Sequence, residues 1–314
     1  MAPHPLGHGC LAAACAQPTI IRHGELPHLA KEDYEGVGDR PDEGTVRLTL
    51  IRLQQLLDQK LDALARAATP AAVHEGRIAA RRLRVVLRDL KRLLVPFVRH
   101  RYSAALKQIV TDLEVVREAD VRHDAIKALI GCGKHFDREQ AQQVLVYNAK
   151  IRTRSRRKLR RLMKNPRWKR RQRKLRLYAQ QLLPIAPSRE PAVVMIRKIV
   201  NRRDRQLRKQ LQHVGRSAKK LHSLRLRIKA MRYLIEALGP LPAKPIRTDQ
   251  KQLRQLQNRL GQYHDNWDLQ RWLTSQDQFQ QIVPVISHLL DVRQKQLRKT
   301  IDRAMSPHLT HSGQ

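Results

Sequence analysis

Four basic positions recur, in the same order, at two places in this 314-residue chain. His74, Arg77, Arg81 and Arg84 lie in Val73-His-Glu-Gly-Arg-Ile-Ala-Ala-Arg-Arg-Leu-Arg84, and His222, Arg225, Lys229 and Arg232 lie in Leu221-His-Ser-Leu-Arg-Leu-Arg-Ile-Lys-Ala-Met-Arg232, at a constant offset of 148 residues. A spacing of i, i+3, i+7, i+10 falls along one stripe of an α-helix, so each segment projects a ladder of cations. Arg88 prolongs the first ladder, and helical geometry adds Arg82 and Arg227 beside the two stripes. The chemistry on offer is recognition of phosphate: guanidinium forks bond phosphate oxygens in pairs, and a His ring donates one further bond or becomes cationic beside the anion. Like charges three and four residues apart cost an isolated helix a few tenths of a kcal/mol per pair. Two such ladders therefore call for a linear or multivalent anion.

The opposite faces of the same segments carry Leu83, Val86, Leu87 and Leu90 in the first copy and Leu224, Met231, Ile235 and Leu238 in the second, which provides a face to bury. Similar periodicity runs through the chain. Val46, Leu48, Leu50, Leu53, Leu56, Leu57, Leu61 and Leu64 mark a helix that ends at Thr69-Pro70. Further helices are expected over residues 73–94, 102–129, 140–163, 168–183, 193–213, 221–238, 248–273 and 279–305, stopped by Pro96, Gly131, Gly133 and Asn165-Pro166 among others, with Pro284 placed to kink or divide the last. No useful stretch alternates with period two, so the fold class is all-α: nine helices packed as a bundle with a Leu, Ile and Val core.

Composition narrows the partner. With 64 Lys plus Arg against 27 Asp plus Glu the formal net charge is +37, while aromatic residues make up 4%. Residues 1–44 hold 6 of the 13 glycines, 5 of the 16 prolines, 7 acids and 3 bases. They read as a flexible, weakly acidic leader, and the remaining residues carry +41. That much self-repulsion on a folded surface is relieved by a polyanion. Basic residues break every apolar run before it reaches the roughly 18 residues of a membrane span. Cys10, Cys15 and Cys132 form no disulfide framework, and no secretory signal precedes Cys15, so a cytoplasmic, reducing compartment is expected.

The repeated helices resemble those of the CHAD family, the conserved histidine α-helical domain, whose members carry His-x-x-Arg-x-x-x-Arg/Lys-x-x-Arg once in each half. Two further elements are similar to the family's. Leu113-Glu-Val-Val-Arg117-Glu-Ala-Asp120-Val matches Leu-x-x-Val-Arg-Asp-x-Asp-Val, and Leu256-Gln-Asn-Arg-Leu260-Gly-Gln-Tyr-His-Asp265 matches Leu-Gln-x-x-Leu-Gly-x-x-Asn-Asp. The chain departs from the pattern at Gly76, which is expected to interrupt the first motif helix, and at His264, which replaces Asn. The resemblance covers residues 45–305. It implies a pseudo-two-fold pair of four-helix-bundle halves (residues 45–165 and 190–305) around a basic central surface, followed by a disordered tail over 306–314. It also implies binding of inorganic polyphosphate and association with polyphosphate granules; no catalysis and no cofactor are expected. Position by position, the anion contacts fall on His74, Arg77, Arg81, Arg84, His222, Arg225, Lys229 and Arg232. Asp120 and Asp265 are read as supporting acids that fix an Arg or His rotamer.

Other features point elsewhere or nowhere. Residues 150–176, opening on Lys150 and closing on Arg176, hold 16 Lys or Arg, the densest charge in the chain. They support an alternative reading as a nucleic-acid or ribosome-binding protein. A metal-dependent phosphohydrolase, the second alternative, needs acids that hold Mg²⁺ beside the phosphates, and Asp120 with Asp265 are too few. His4, His8, Cys10, Cys15, His23 and His28 match no zinc spacing, so no metal site is expected, and Cys132 in Gly-Cys-Gly reads as a loop thiol. The Glu-x-Glu-x-Lys of a CYTH triphosphatase, a frequent companion of CHAD domains, is missing: Lys31-Glu-Asp-Tyr-Glu35 has the wrong order. The expectation is a stand-alone binder of unspecified oligomeric state.

Overall fold

Prolines and their neighbours begin these helices more often than they end them. In the computed structural model, which describes residues 43–132, 138–181, 191–212, 217–238 and 250–309, nine α-helices follow one another among the described residues, and none of those residues lies in a strand. They are α1 (Glu43–Arg66), α2 (Pro70–Asp89), α3 (Pro96–Cys132), α4 (Arg138–Lys164), α5 (Pro166–Gln181), α6 (Ala192–Gln212), α7 (Ala218–Leu238), α8 (Gln250–Thr274) and α9 (Val283–Leu309). Pro70, Pro96 and Pro166 each open a helix, where a missing N–H costs nothing and a fixed φ helps. Thr69 caps α2 by accepting a bond from the Ala72 N–H at 3.1 Å, and Asn165 accepts one from the Arg167 N–H at 2.8 Å to start α5. Pro284 is the second residue of α9 and neither kinks nor divides it; the segment before it, Asp277–Phe279, forms a short 3-10 turn.

Two other expectations change. Gly76 does not interrupt α2, which runs through it unbroken: the residue is buried, facing Leu61, Leu64 and Leu113 from α1 and α3. Cys132 is the last residue of α3 rather than part of a loop. The leader's histidines and cysteines lie outside the described residues.

Helices α1 to α4 pack on one another in sequence order, and α5 folds back onto α1, α3 and α4. In the second part of the chain α7 packs on α6 and α8, and α9 on α6 and α8. The two groups meet where α2 lies against α7 and α3 against α8. A main core of Leu, Ile and Val runs through both groups, from Leu57, Leu83 and Leu113 to Leu224, Leu234 and Leu260, all at 1% exposure or less. Each fully buried aliphatic side chain of this kind contributes about 1.5–3 kcal/mol. A smaller core joins the far ends of α3, α4, α8 and α9 around Ile126, Val144, Leu269 and Leu290. There Tyr147 meets Phe279 edge to face, with centroids 5.3 Å apart. The packing of α2 on α7 and of α3 on α8 sets the two cationic stripes side by side.

Candidate anion-binding site

The two motif helices bury their apolar stripes, and part of each cationic stripe, Arg77 and Arg81 on α2 with Arg225 and Lys229 on α7, comes within electrostatic reach of the other across the α2–α7 contact. On α2, Arg77 donates from Nε to Oε2 of Glu114 at 2.8 Å and from Nη2 to Oε1 of the same carboxylate, while Arg81 donates to Oε2 at 3.0 Å. Glu114 comes from α3. Burial alone pushes its carboxyl up, but the bonds and charges of Arg77 and Arg81 outweigh that and hold it below its ordinary value.

On α7 the same stripe is far less neutralised. Arg225 Nη2 lies 3.8 Å from Oδ1 of Asp265 on α8, a distance longer than a hydrogen bond, and its guanidinium passes close to Gly261. Lys229, at the position equivalent to Arg81, has neither an ion pair nor a hydrogen bond among the described residues. Its ammonium is pushed down to about 7, first by burial and then by the charges of Arg225, Arg77 and Arg81, with Asp265 opposing. Arg81 and Arg225 are lowered for the same reasons, burial first. Arg117 on α3 feels both Asp265 and Arg77 and belongs to the same cluster.

Two imidazoles close one side. The rings of His222 and His264 lie 4.4 Å apart, and both are lowered by burial and by Arg225, His264 to about 3. His264 Nε2 is 3.2 Å from Oδ2 of Asp268, whose carboxyl is raised to about 6 by burial and by Asp265. With the His264 ring held neutral, this contact is not an ion pair at neutral pH.

The remaining ladder residues take other places. Arg82 is buried at 7% exposure, and its guanidinium is committed to Glu236 of α7 at 2.7 Å and to the face of Tyr233 at 5.5 Å. It ties the two groups of helices together. Arg232 donates to Gln257 and Glu236, both at 2.9 Å. Arg88 is exposed and shares Asp89 with Arg203 of α6. Arg84 is lowered by partial burial and by Arg88, His74 is half-buried one turn before Arg77, and Arg227 is exposed, facing the Gln206 carbonyl at 3.5 Å. Asp120 receives Arg152 and Arg156 of α4 at 2.9 and 2.6 Å, so it organises α4 on α3.

The structure thus gathers Arg77, Arg81, His222, Arg225 and Lys229 with Asp265, and adds Glu114, Arg117, His264 and Asp268, which the sequence reading did not assign to the site. Their signal was present: Glu114 and Arg117 lie three residues apart in the quoted α3 element, and Asp268 lies four residues after His264 on α8, just beyond the quoted element, the spacings of neighbours on one helix face. Among the described residues no group of His, Cys, Asp or Glu side chains is arranged to hold a metal ion.

An all-α fold in which two sequence-related helices, α2 and α7, pack against each other defines the class. The chain belongs to the CHAD family: the CHAD domain model matches residues 50–274. Among solved structures it is similar to the CHAD domain from the plant Ricinus communis, with a TM-score of 0.67 and 20% identity over 85% of this chain and 92% of that one. It is also similar to PptA from Streptomyces chartreusis, with a TM-score of 0.66 and 16% identity over 84% of this chain and 99% of that one. At these identities the likeness concerns the fold. No curated protein matches the chain. CHAD domains are non-catalytic modules with binding or regulatory roles. No helix among the described residues is long and apolar enough to cross a membrane.

Proposed function

We propose that the protein binds long-chain inorganic polyphosphate between α2 and α7, acting as a scaffold or regulator associated with cytoplasmic polyphosphate granules. The observation that carries this reading is Lys229, a half-buried lysine with no ion pair or hydrogen bond among the described residues, whose charge is opposed by Arg77, Arg81 and Arg225 and supported by Asp265. A buried, uncompensated charge is costly to the fold, and an arriving anion offsets that cost. Polyphosphate fits because it offers one charge per phosphoryl unit and no bases, so only guanidinium forks, ammonium groups and counterion release can hold it. The pairing of α2 with α7 and of α3 with α8 supports two related four-helix halves about a basic central surface, with Glu114, Asp120 and Asp265 as supporting acids.

The test is the double variant Arg81→Glu with Lys229→Glu. Binding of long-chain polyphosphate, measured by titration calorimetry, is expected to be lost while the circular dichroism spectrum keeps its helical signal. Retained binding by a normally helical double variant would remove the proposed site.

A further inference from the structure

Away from this cluster, α4 and α5 carry a second concentration of positive charge that differs from it in kind. From residue 140 to residue 181 the sequence contains no Asp or Glu. Acids from neighbouring helices neutralise only the inward side: Asp120 takes Arg152 and Arg156, Asp112 takes Arg171 at 2.6 Å, and Asp58 takes Arg176 at 3.1 Å. Two residues on from Arg152 the helix has turned through about 200°, to the far side. Arg154, Arg157, Lys158 and Arg161 stand there, exposed and without an acidic partner among the described residues, around a shallow depression of about 360 Å³. Exposed Arg170, Arg173 and Lys174 add to the charge on α5.

We propose that this outer face of α4 and α5 is a second, independent anion site that grips the phosphate backbone of duplex nucleic acid without reading its sequence. Single strands are held by aromatic side chains on which bases stack. This face offers none: Trp168 is buried at 2% exposure, and Tyr147 and Tyr178 pack against the cores. A duplex keeps its bases stacked on one another and presents phosphates alone. The spacing agrees, since four cations from i to i+7 span about 10.5 Å, roughly one per 3.5 Å, against about 3.4 Å of axis per phosphate along one strand. An anionic membrane would attract the same charge, yet the only large apolar side chains exposed on the described residues of α4 and α5 are Val146 and Leu177, one on each helix and too few to enter a bilayer. The inference goes beyond polyphosphate binding and does not depend on it. If both hold, the protein carries two polyanions at once.

The experiment uses the full chain, a labelled random duplex DNA of about 30 base pairs and fluorescence anisotropy across roughly 50–200 mM salt. The variant Arg154→Gln, Arg157→Gln, Lys158→Gln, Arg161→Gln is expected to flatten the slope of log affinity against log salt by about 3.6, at about 0.9 for each phosphate that is no longer neutralised. It should leave polyphosphate binding unchanged, whereas Arg81→Glu with Lys229→Glu should leave duplex binding unchanged. An unchanged salt slope in the four-site variant would overturn the proposal, as would loss of duplex binding in the Arg81/Lys229 variant. A third arm, vesicles containing phosphatidylserine, would overturn it too if they bind through these four residues while the duplex does not.

Discussion

Helices α2 and α7 carry the same basic pattern and meet different acids. On α2, Arg77 and Arg81 converge on one carboxylate, Glu114, which is held ionised between them. On α7, Arg225 reaches Asp265 only at 3.8 Å, and Lys229 forms no ion pair among the described residues, with Asp265 acting on it only at longer range. A guanidinium keeps its charge in either setting, whereas an ammonium on a flexible stem gives up its proton when crowded. In the proposed site the two copies divide the work: α2 supplies permanently charged, pre-oriented forks, and α7 supplies the position whose charge an incoming anion would restore. A repeated motif fixes where cations project. The acids opposite decide how strongly each one demands a ligand.

Removing both kinds of cation together breaks the comparison most severely. Arg81→Glu with Lys229→Glu should weaken polyphosphate binding by about a hundredfold or more, since two charge-assisted contacts become repulsive. Next comes pH. Lys229 has its pKa lowered to about 7 in the free protein, and a bound anion raises it again. Below that value the lysine is protonated with or without ligand, so affinity is flat. Above it each binding event must take up a proton, and affinity should fall by up to about tenfold per pH unit. Lys229→Arg should flatten this profile. The same lowered pKa has the opposite sign for folding: between about 7 and the unfolded value of 10.5 the unfolded chain binds more protons, so stability from this group rises with pH.

A smaller, sharpening effect is expected at Glu114. Glu114→Gln removes the carboxylate that Arg77 and Arg81 share, so α2 comes to resemble α7. Polyphosphate binding should tighten a few-fold in calorimetry, while the melting temperature falls. The least effect on binding is expected for Arg82→Met, because Arg82 lies in the seam between the helix groups, bound to Glu236. Thermal unfolding should show a loss of about 2 kcal/mol, with polyphosphate affinity unchanged.

The helices and their buried faces were readable from apolar periodicity alone, because a stripe such as Leu83, Val86, Leu87 and Leu90 has no other way to leave water. Boundaries were less readable at proline, where Pro96 is expected as a stop and Pro284 as a kink: both belong to the first turns of α3 and α9, positions that single out proline for its fixed φ. The cations of the site were legible as a repeat. Their grouping was not, since no spacing within α2 or α7 says that Arg82 points into the seam toward Glu236 while Arg77 and Arg81 face Glu114. Long-range pairs of this kind depend on which helices pack together, and that is set by the cores rather than by the motif. The same holds for His264, which became a neighbour of His222 only through the α7–α8 contact.

Proton uptake on binding tests the central claim most directly. Calorimetric titration of long-chain polyphosphate at about pH 8, in buffers of different ionisation enthalpy, reads the number of protons bound with the ligand. The wild-type protein should take up protons beyond those accepted in the same titration of Lys229→Arg, which controls for the titrating ends of polyphosphate itself. Tight binding with identical proton uptake in the two proteins would contradict the account and place the anion away from Lys229.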